Sequence, residues 1–199
     1  WSHTWERQHE LVTRFAKLLE GKVISVCSPL GLINHNPFSL NFFQKIRTYN
    51  KLQVKIINQN PILDNMKMCN LRHIPFHLSM IGKINYALMK HGMGMTNNNF
   101  FWSTYMNPTI YEFFKRSSFK IYDIAERRST NPLLNEKIRA WERKAVREAD
   151  LVIVDNHVTM EDYRNLNPRI QYIPQGVNLE TFFKSESSTT REYIGYIGN

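Results

Sequence analysis

The stretch that decides the fold class is residues 149–183, ADLVIVDNHVTMEDYRNLNPRIQYIPQGVNLETFF. It begins with Leu151–Val154, four apolar residues between two aspartates, a pattern typical of a strand buried on both faces of a parallel sheet. A polar segment over 158–165 then has helical character, and residues 170–173 alternate like a second strand. Strand, helix and strand in this order predict a βαβ unit and therefore an α/β fold.

The βαβ unit is followed by Pro174-Gln-Gly-Val-Asn178, which predicts a turn in which Gly176 can adopt a positive φ at little cost. Periodicity alone does not distinguish this unit from a generic α/β crossover. The motif over 173–182, Ile-Pro-x-Gly-Val-Asn-x-x-x-Phe, adds information. It resembles the end of the N-terminal domain of GT-B-fold glycosyltransferases, and most closely the retaining group related to glycosyltransferase family 4.

The resemblance implies a division of the chain into two parts. Residues 1–183 would form an N-terminal, Rossmann-like acceptor domain, and residues 184–199 would be a linker and the first strand of a truncated second domain. The turn departs from the family pattern in one place, since Asn178 stands where an aspartate is usual. Because the second domain holds most of the donor site in such enzymes, we expect the chain alone to be inactive.

Other predicted elements also alternate between strands and helices, which favours a mainly parallel sheet flanked by helices. The strands are predicted at 23–27, 52–57, 99–105 and 119–123, and the helices at 4–19, 75–90 and 131–148, with a polar loop over 58–70. No strand is predicted ahead of the first helix, so we expect the first strand of the Rossmann-like sheet to be missing.

Composition limits the function classes. The 199 residues are 42% hydrophobic and 13% aromatic, which indicates one folded α/β domain. A net charge of +9 indicates either a solvated basic surface or an anionic partner such as a membrane, a nucleic acid or a phosphorylated substrate. Two cysteines imply no disulfide framework. The absence of a run of about 18 apolar residues argues against a membrane-spanning helix.

The strongest catalytic candidates are Asp123 and Glu126, which follow the apolar part of the strand predicted at 119–123. Together with Arg127 they place carboxylates and a guanidinium at the carboxyl end of a parallel strand, where ligands bind in such sheets. Resembling enzymes carry a Tyr-Asp-x-x-Asp/Glu segment here that lines the cleft. The alternative is a salt-bridge cluster with a structural role.

Substrate-binding candidates lie elsewhere at predicted strand ends. The opening Trp-x-x-x-Trp-x-Arg-Gln resembles bacterial polysaccharide and teichuronic-acid-type transferases and implies sugar contacts, although helix packing is an equal alternative. Asn107 lies in a loop that lacks the histidine found in many family 4 relatives, so inversion and retention both stay open. The full substrate-binding set is Trp5, Arg7, Gln8, Asn107, Arg127, Asn156, Gly176 and Asn178.

Several ligand classes lack their sequence signals. The seven histidines show no metal-ligand spacing, so we expect no metal and interpret each histidine as an ordinary surface or core residue. There is no phosphate-binding glycine loop and no nucleic-acid motif, so we expect no cofactor and no nucleic acid. The expected ligands are a nucleotide-diphosphate sugar as donor and a glycan or lipid-linked acceptor. A non-catalytic Rossmann-like binding or scaffold module is the alternative function.

The segment 74–95, IPFHLSMIGKINYALMKHGMGM, mixes large apolar residues with Lys83 and Lys90. If helical, it predicts an apolar face formed by Phe76, Met80, Ile81, Ile84 and Leu88. This face would either pack on the sheet or contact an anionic membrane peripherally. The second alternative fits an enzyme located in the cytoplasm and at the inner face of the membrane, acting on a lipid-linked acceptor.

Overall fold

The computed structural model describes residues 7–19, 24–27, 65–69, 79–93, 95, 99–124 and 136–174. Within these ranges there are five helices: α1 Arg7–Leu18, α2 Ser79–Met89, α3 Pro108–Phe114, α4 Glu136–Glu148 and α5 His157–Arg164. The strands are β1 Ile24–Cys27, β2 Met66–Cys69, β3 Phe100–Ser103, β4 Phe119–Ile124, β5 Leu151–Val154 and β6 Ile170–Tyr172.

The main sheet has four strands in the order β3-β4-β5-β6, and every pair is parallel. Strands β1 and β2 form a second, two-stranded parallel sheet, in which Cys27 and Cys69 are register partners. Parallel strands joined by helical crossovers form a Rossmann-like α/β fold, which confirms the fold class predicted from the alternating pattern.

The hydrophobic core lies on one face of the main sheet. Tyr122 and Ile124 of β4 are in register with Val152 and Val154 of β5, and all four side chains are buried in one cluster. Helices contribute further buried members of this cluster: Met89, Ile110, Phe113, Phe114, Ala145, Val146 and Tyr163. Because successive residues of a strand point to opposite faces, Asp123 and Ile153 belong to the other face of the same sheet.

One prediction about local structure is wrong, and one helix was not predicted. The loop predicted over 58–70 contains β2, a short strand whose pairing with β1 cannot be read from its own four residues. Although the predicted loop ends at Pro108 and no element was predicted directly after it, the chain from Pro108 to Phe114 forms α3. Its sequence signals are an asparagine N-cap followed by a proline in the first turn, both typical of a helix start.

Helix α2 packs inside the protein through residues outside the predicted apolar face. Its buried residues are Gly82, Asn85 and Met89. Of the predicted apolar face, Met80, Ile84 and Leu88 are exposed, Ile81 is half-buried, and Phe76 lies outside the described residues. Asn85 Nδ2 donates a hydrogen bond to Thr109 Oγ1 of α3 at 2.9 Å, and a glycine at position 82 allows the two helices to approach closely. The close packing of α2 against α3 therefore decides which face of α2 is buried, although another face is more apolar.

Helix α4 also buries a polar group. Ala145 is buried and Trp141 is half-buried, and Glu142 is buried beside them. Its carboxylate accepts a hydrogen bond from the Tyr163 hydroxyl at 2.5 Å, which compensates part of the cost of removing a carboxylate from water.

Some predictions fall outside the described residues: the starts of the helices predicted at 4, 75 and 131, the strand over 52–57, and the turn, linker and strand after residue 174. None of the helices in the described ranges has the length and apolar composition required to cross a bilayer. Across those same ranges, no group of three or more His, Cys, Asp and Glu residues is placed to hold a metal ion.

Candidate functional site

The carboxyl edge of the main sheet is the candidate site. Because β3, β4, β5 and β6 are parallel, their last residues and the loops that follow all lie along the same edge. In open α/β sheets this edge is where ligands bind, because loops and helix N-termini converge there. The structure brings three of the predicted site residues to this edge: Asn107, Asp123 and Asn156.

Asp123 is the next-to-last residue of β4 and is in register with Ile153. Its side chain is 0% exposed, so in this structure the carboxylate has no contact with solvent. A carboxylate below the surface can reach a ligand only if the covering residues move. Its predicted catalytic role therefore requires a rearrangement, whereas a structural role does not.

Asn107 serves as the N-cap of α3. Its backbone is extended, with φ −149° and ψ 172°, and its Oδ1 accepts a hydrogen bond from the Ile110 backbone N–H at 2.9 Å. The residue is fully buried, and its Nδ2 has no hydrogen-bond partner in the described parts of the chain. The Asn107 amide thus caps the start of α3, shortly after β3 ends. Because Asn107 is buried, its side chain is not exposed at the surface of this edge.

Asn156 occupies the equivalent position after β5. It is the N-cap of α5, and its Oδ1 accepts a hydrogen bond from the Thr159 backbone N–H at 2.8 Å. Its Nδ2 donates to Asp155 Oδ1 at 2.8 Å. Unlike Asn107, Asn156 is exposed, so its amide and the neighbouring Asp155 carboxylate are accessible polar groups at the edge.

An aromatic pair beside Asn156 was missed by the sequence analysis. His157 begins α5 and Tyr172 ends β6, and their rings lie 4.0 Å apart between centroids with an interplanar angle of 33°. Both residues are exposed, as are the neighbouring apolar residues Val158 and Ile173. The pair could have been found by asking which aromatic residues flank the carboxyl ends of adjacent parallel strands, since such residues meet at one edge.

Two further predicted site residues are described only in part. Arg7 and Gln8 form the first turn of α1, and only their backbone is described. The other predicted site residues lie outside the described ranges: Trp5, Glu126, Arg127, Gly176 and Asn178. Their roles stay predictions.

The shifted ionisable groups belong to the helices and not to the exposed edge. Burial raises the pKa of Glu112, but hydrogen bonds from Lys115 and Arg116 outweigh it, so the pKa lies below its usual value. Burial and a 2.7 Å hydrogen bond to Glu148 raise the pKa of Tyr111 well above its usual value. Both groups stabilise α3 and its contact with α4, which explains the shifts without a catalytic role.

The chemistry available at the edge is recognition of a polar, ring-shaped ligand. An exposed aromatic pair offers a flat face, and the Asp155 and Asn156 side chains offer hydrogen-bonding groups beside it. No protein-family model matches the chain, and no curated protein matches it at a significant level.

Proposed function

We propose that this chain is the acceptor-side domain of a GT-B-fold glycosyltransferase. Such an enzyme moves a sugar from a nucleotide-sugar donor to a polysaccharide or a lipid-linked acceptor. The observation that carries the proposal is the exposed pair His157 and Tyr172, which lies beside Asp155 and Asn156 at the carboxyl edge of a parallel sheet. The resemblance of residues 173–182 to the end of a GT-B N-terminal domain supports it.

The proposed roles follow from the chemistry of sugars. The apolar face of a sugar ring packs on an aromatic face, so Tyr172 would position the acceptor, with Asp155 and Asn156 hydrogen-bonding to its hydroxyl groups. A carboxylate within reach of the reacting hydroxyl can accept its proton, which is the role proposed for Asp123 or Glu126. Trp5, Arg7, Gln8, Arg127, Gly176 and Asn178 complete the proposed substrate contacts, and the donor is held mainly by the second domain.

We expect Asp123→Asn and Glu126→Gln each to lower kcat/KM for the acceptor by about tenfold or more, which corresponds to ~1.4 kcal/mol of transition-state stabilisation. The measurement is steady-state kinetics of nucleotide release by the full-length protein with the acceptor varied. Asp162→Asn is the matched control, because Asp162 is exposed on α5 and has no proposed role in the site. If both variants kept the wild-type kinetics and thermal unfolding, the two carboxylates would have no catalytic role.

We expect Tyr172→Ala to raise KM for the acceptor by about threefold to tenfold with little change in kcat, because an aromatic contact stabilises by roughly 0.5–1.5 kcal/mol. His157→Ala should have a smaller effect of the same kind, since the imidazole supports one face of the tyrosine ring. Phe100→Ala is the control, because this exposed aromatic residue lies at the amino end of β3, away from the edge. An equal rise in KM for Phe100→Ala would show that the aromatic pair is not part of the acceptor site.

A non-catalytic Rossmann-like binding module is the second candidate, and the complete burial of Asp123 favours it. The two candidates differ in turnover. Incubation of the full-length protein with a panel of nucleotide sugars and glycan acceptors should release nucleotide if it is a transferase. Saturable glycan binding that depends on Tyr172, without release of nucleotide from any donor, would support the binding module instead.

A further inference from the structure

One face of helix α2 is buried against the rest of the protein. A Cβ atom at Gly82 would lie 2.5 Å from the Pro108 carbonyl oxygen, so α2 approaches the start of α3 about as closely as a backbone allows. Asn85 and Met89 are buried on the same face. The orientation of α2 is therefore fixed, and the opposite face must be the outer one.

The outer face of α2 is apolar. Met80, Ile84 and Leu88 are 67%, 40% and 63% exposed, and their spacing of four residues places them in one row along the helix. We refer to these three side chains as the α2 stripe. A row of three large apolar side chains on an outer helix face is unlike the scattered apolar residues of an ordinary protein surface, and it indicates a contact with an apolar partner.

Positive charge accompanies the α2 stripe. Lys83 and Lys90 are seven residues apart, which is two helical turns, so they lie on the same flank of the stripe. The 47 residues from 65 to 111 contain no Asp or Glu, whereas they contain four Lys or Arg residues. If two copies of the chain met through this face, their lysines would repel each other. A partner that is both apolar and anionic complements the surface instead.

We propose that the α2 stripe and its lysine flank form a peripheral docking surface for an anionic lipid bilayer. The three apolar side chains enter the boundary between headgroups and acyl chains, while Lys83 and Lys90 lie among the lipid phosphates. With 11 residues, α2 is about 16 Å long and lies in the plane of the interface. The proposal does not depend on the transferase activity, although a surface-bound enzyme would meet a lipid-linked acceptor in the membrane plane.

The test is flotation of the purified chain with vesicles of phosphatidylcholine alone and with an equimolar mixture of phosphatidylcholine and phosphatidylglycerol. We expect binding to the anionic vesicles at low salt, little binding to the neutral ones, and weakening by added salt. Replacing Met80, Ile84 and Leu88 by glutamine, or combining Lys83→Glu with Lys90→Glu, should reduce vesicle binding by about tenfold or more, since each lysine near an anionic leaflet contributes about 1 kcal/mol. Because all three stripe residues are exposed, the glutamine variant should unfold at the wild-type temperature.

The control is Lys17→Glu combined with Arg147→Glu, which changes the net charge by the same amount at exposed positions on α1 and α4. Retained binding by this control supports docking through α2. Equal loss in both charge-reversed variants would show attraction by net charge only, and would overturn the proposal. The absence of binding to anionic vesicles at low salt would overturn it too, as would a dimer in light scattering that the glutamine substitutions abolish.

Discussion

Replacing Phe113 by alanine should lower the free energy of unfolding by about 3–5 kcal/mol, the larger of the two stability effects that we expect among the described residues. The side chain is 1% exposed and lies at the centre of the core cluster. It forms an edge-to-face pair with Tyr86 of α2, with ring centroids 4.9 Å apart, and stacks with Phe101 of β3 at 6.1 Å. Truncation therefore removes contacts to α2 and to β3 and leaves a cavity that the surrounding residues fill only in part.

The measurement is urea unfolding followed by far-ultraviolet circular dichroism. Phe100→Ala is the matched control, because the same atoms are removed from a side chain that is 75% exposed and forms an edge-to-face pair with Phe119. The free energy of unfolding of this control should fall by less than about 1 kcal/mol. Similar losses for the two variants would mean that the core is not organised around Phe113. A total stability of about 5–15 kcal/mol is usual for a domain, so the Phe113 variant could be largely unfolded at body temperature.

The second large effect is expected at Gly82. By helix propensity alone, Gly82→Ala should stabilise α2 by about 1 kcal/mol. The added Cβ, however, would lie 2.5 Å from the Pro108 carbonyl oxygen and 2.7 Å from its carbonyl carbon, and both atoms belong to the backbone. A backbone cannot rotate away as a side chain can, so α2 must move from α3 and lose its packing. We expect the steric cost to exceed the gain in helix propensity, so that Gly82→Ala destabilises the protein by about 2 kcal/mol.

Gly92→Ala tests whether the effect comes from the close approach. At Gly92 the nearest atom to an added Cβ is the Met89 carbonyl oxygen at 3.5 Å, which is an ordinary contact. The same change in composition should therefore alter the stability by less than about 0.5 kcal/mol. Unfolding by urea gives both values. Equal or increased stability of Gly82→Ala would show that α2 and α3 lie further apart than described.

The candidate site was only partly predictable. In the structure Asn107, Asp123 and Asn156 lie at one edge, as the rule that parallel strands gather their carboxyl ends requires, whereas their roles in binding or catalysis stay predictions. The sequence could not reveal that Asp123 and Asn107 are buried while Asn156 is exposed. The pairing of His157 with Tyr172 was not predicted, because the two residues belong to a helix and a strand and meet only once α5 and β6 are both placed at this edge.

The sequence by itself determined the alternation of strands and helices, including β5, α5 and β6 and most of α4, because hydrophobic periodicity and helix-capping residues act over a few neighbouring positions. Tertiary structure alone decided that β2 pairs with β1, that Glu142 is buried beneath Tyr163, and that α2 turns its most apolar row outwards. The physical reason is that burial depends on which surfaces can approach each other. In α2 a glycine lets two helix backbones approach closely, and three large apolar side chains stay exposed on another face of the same helix.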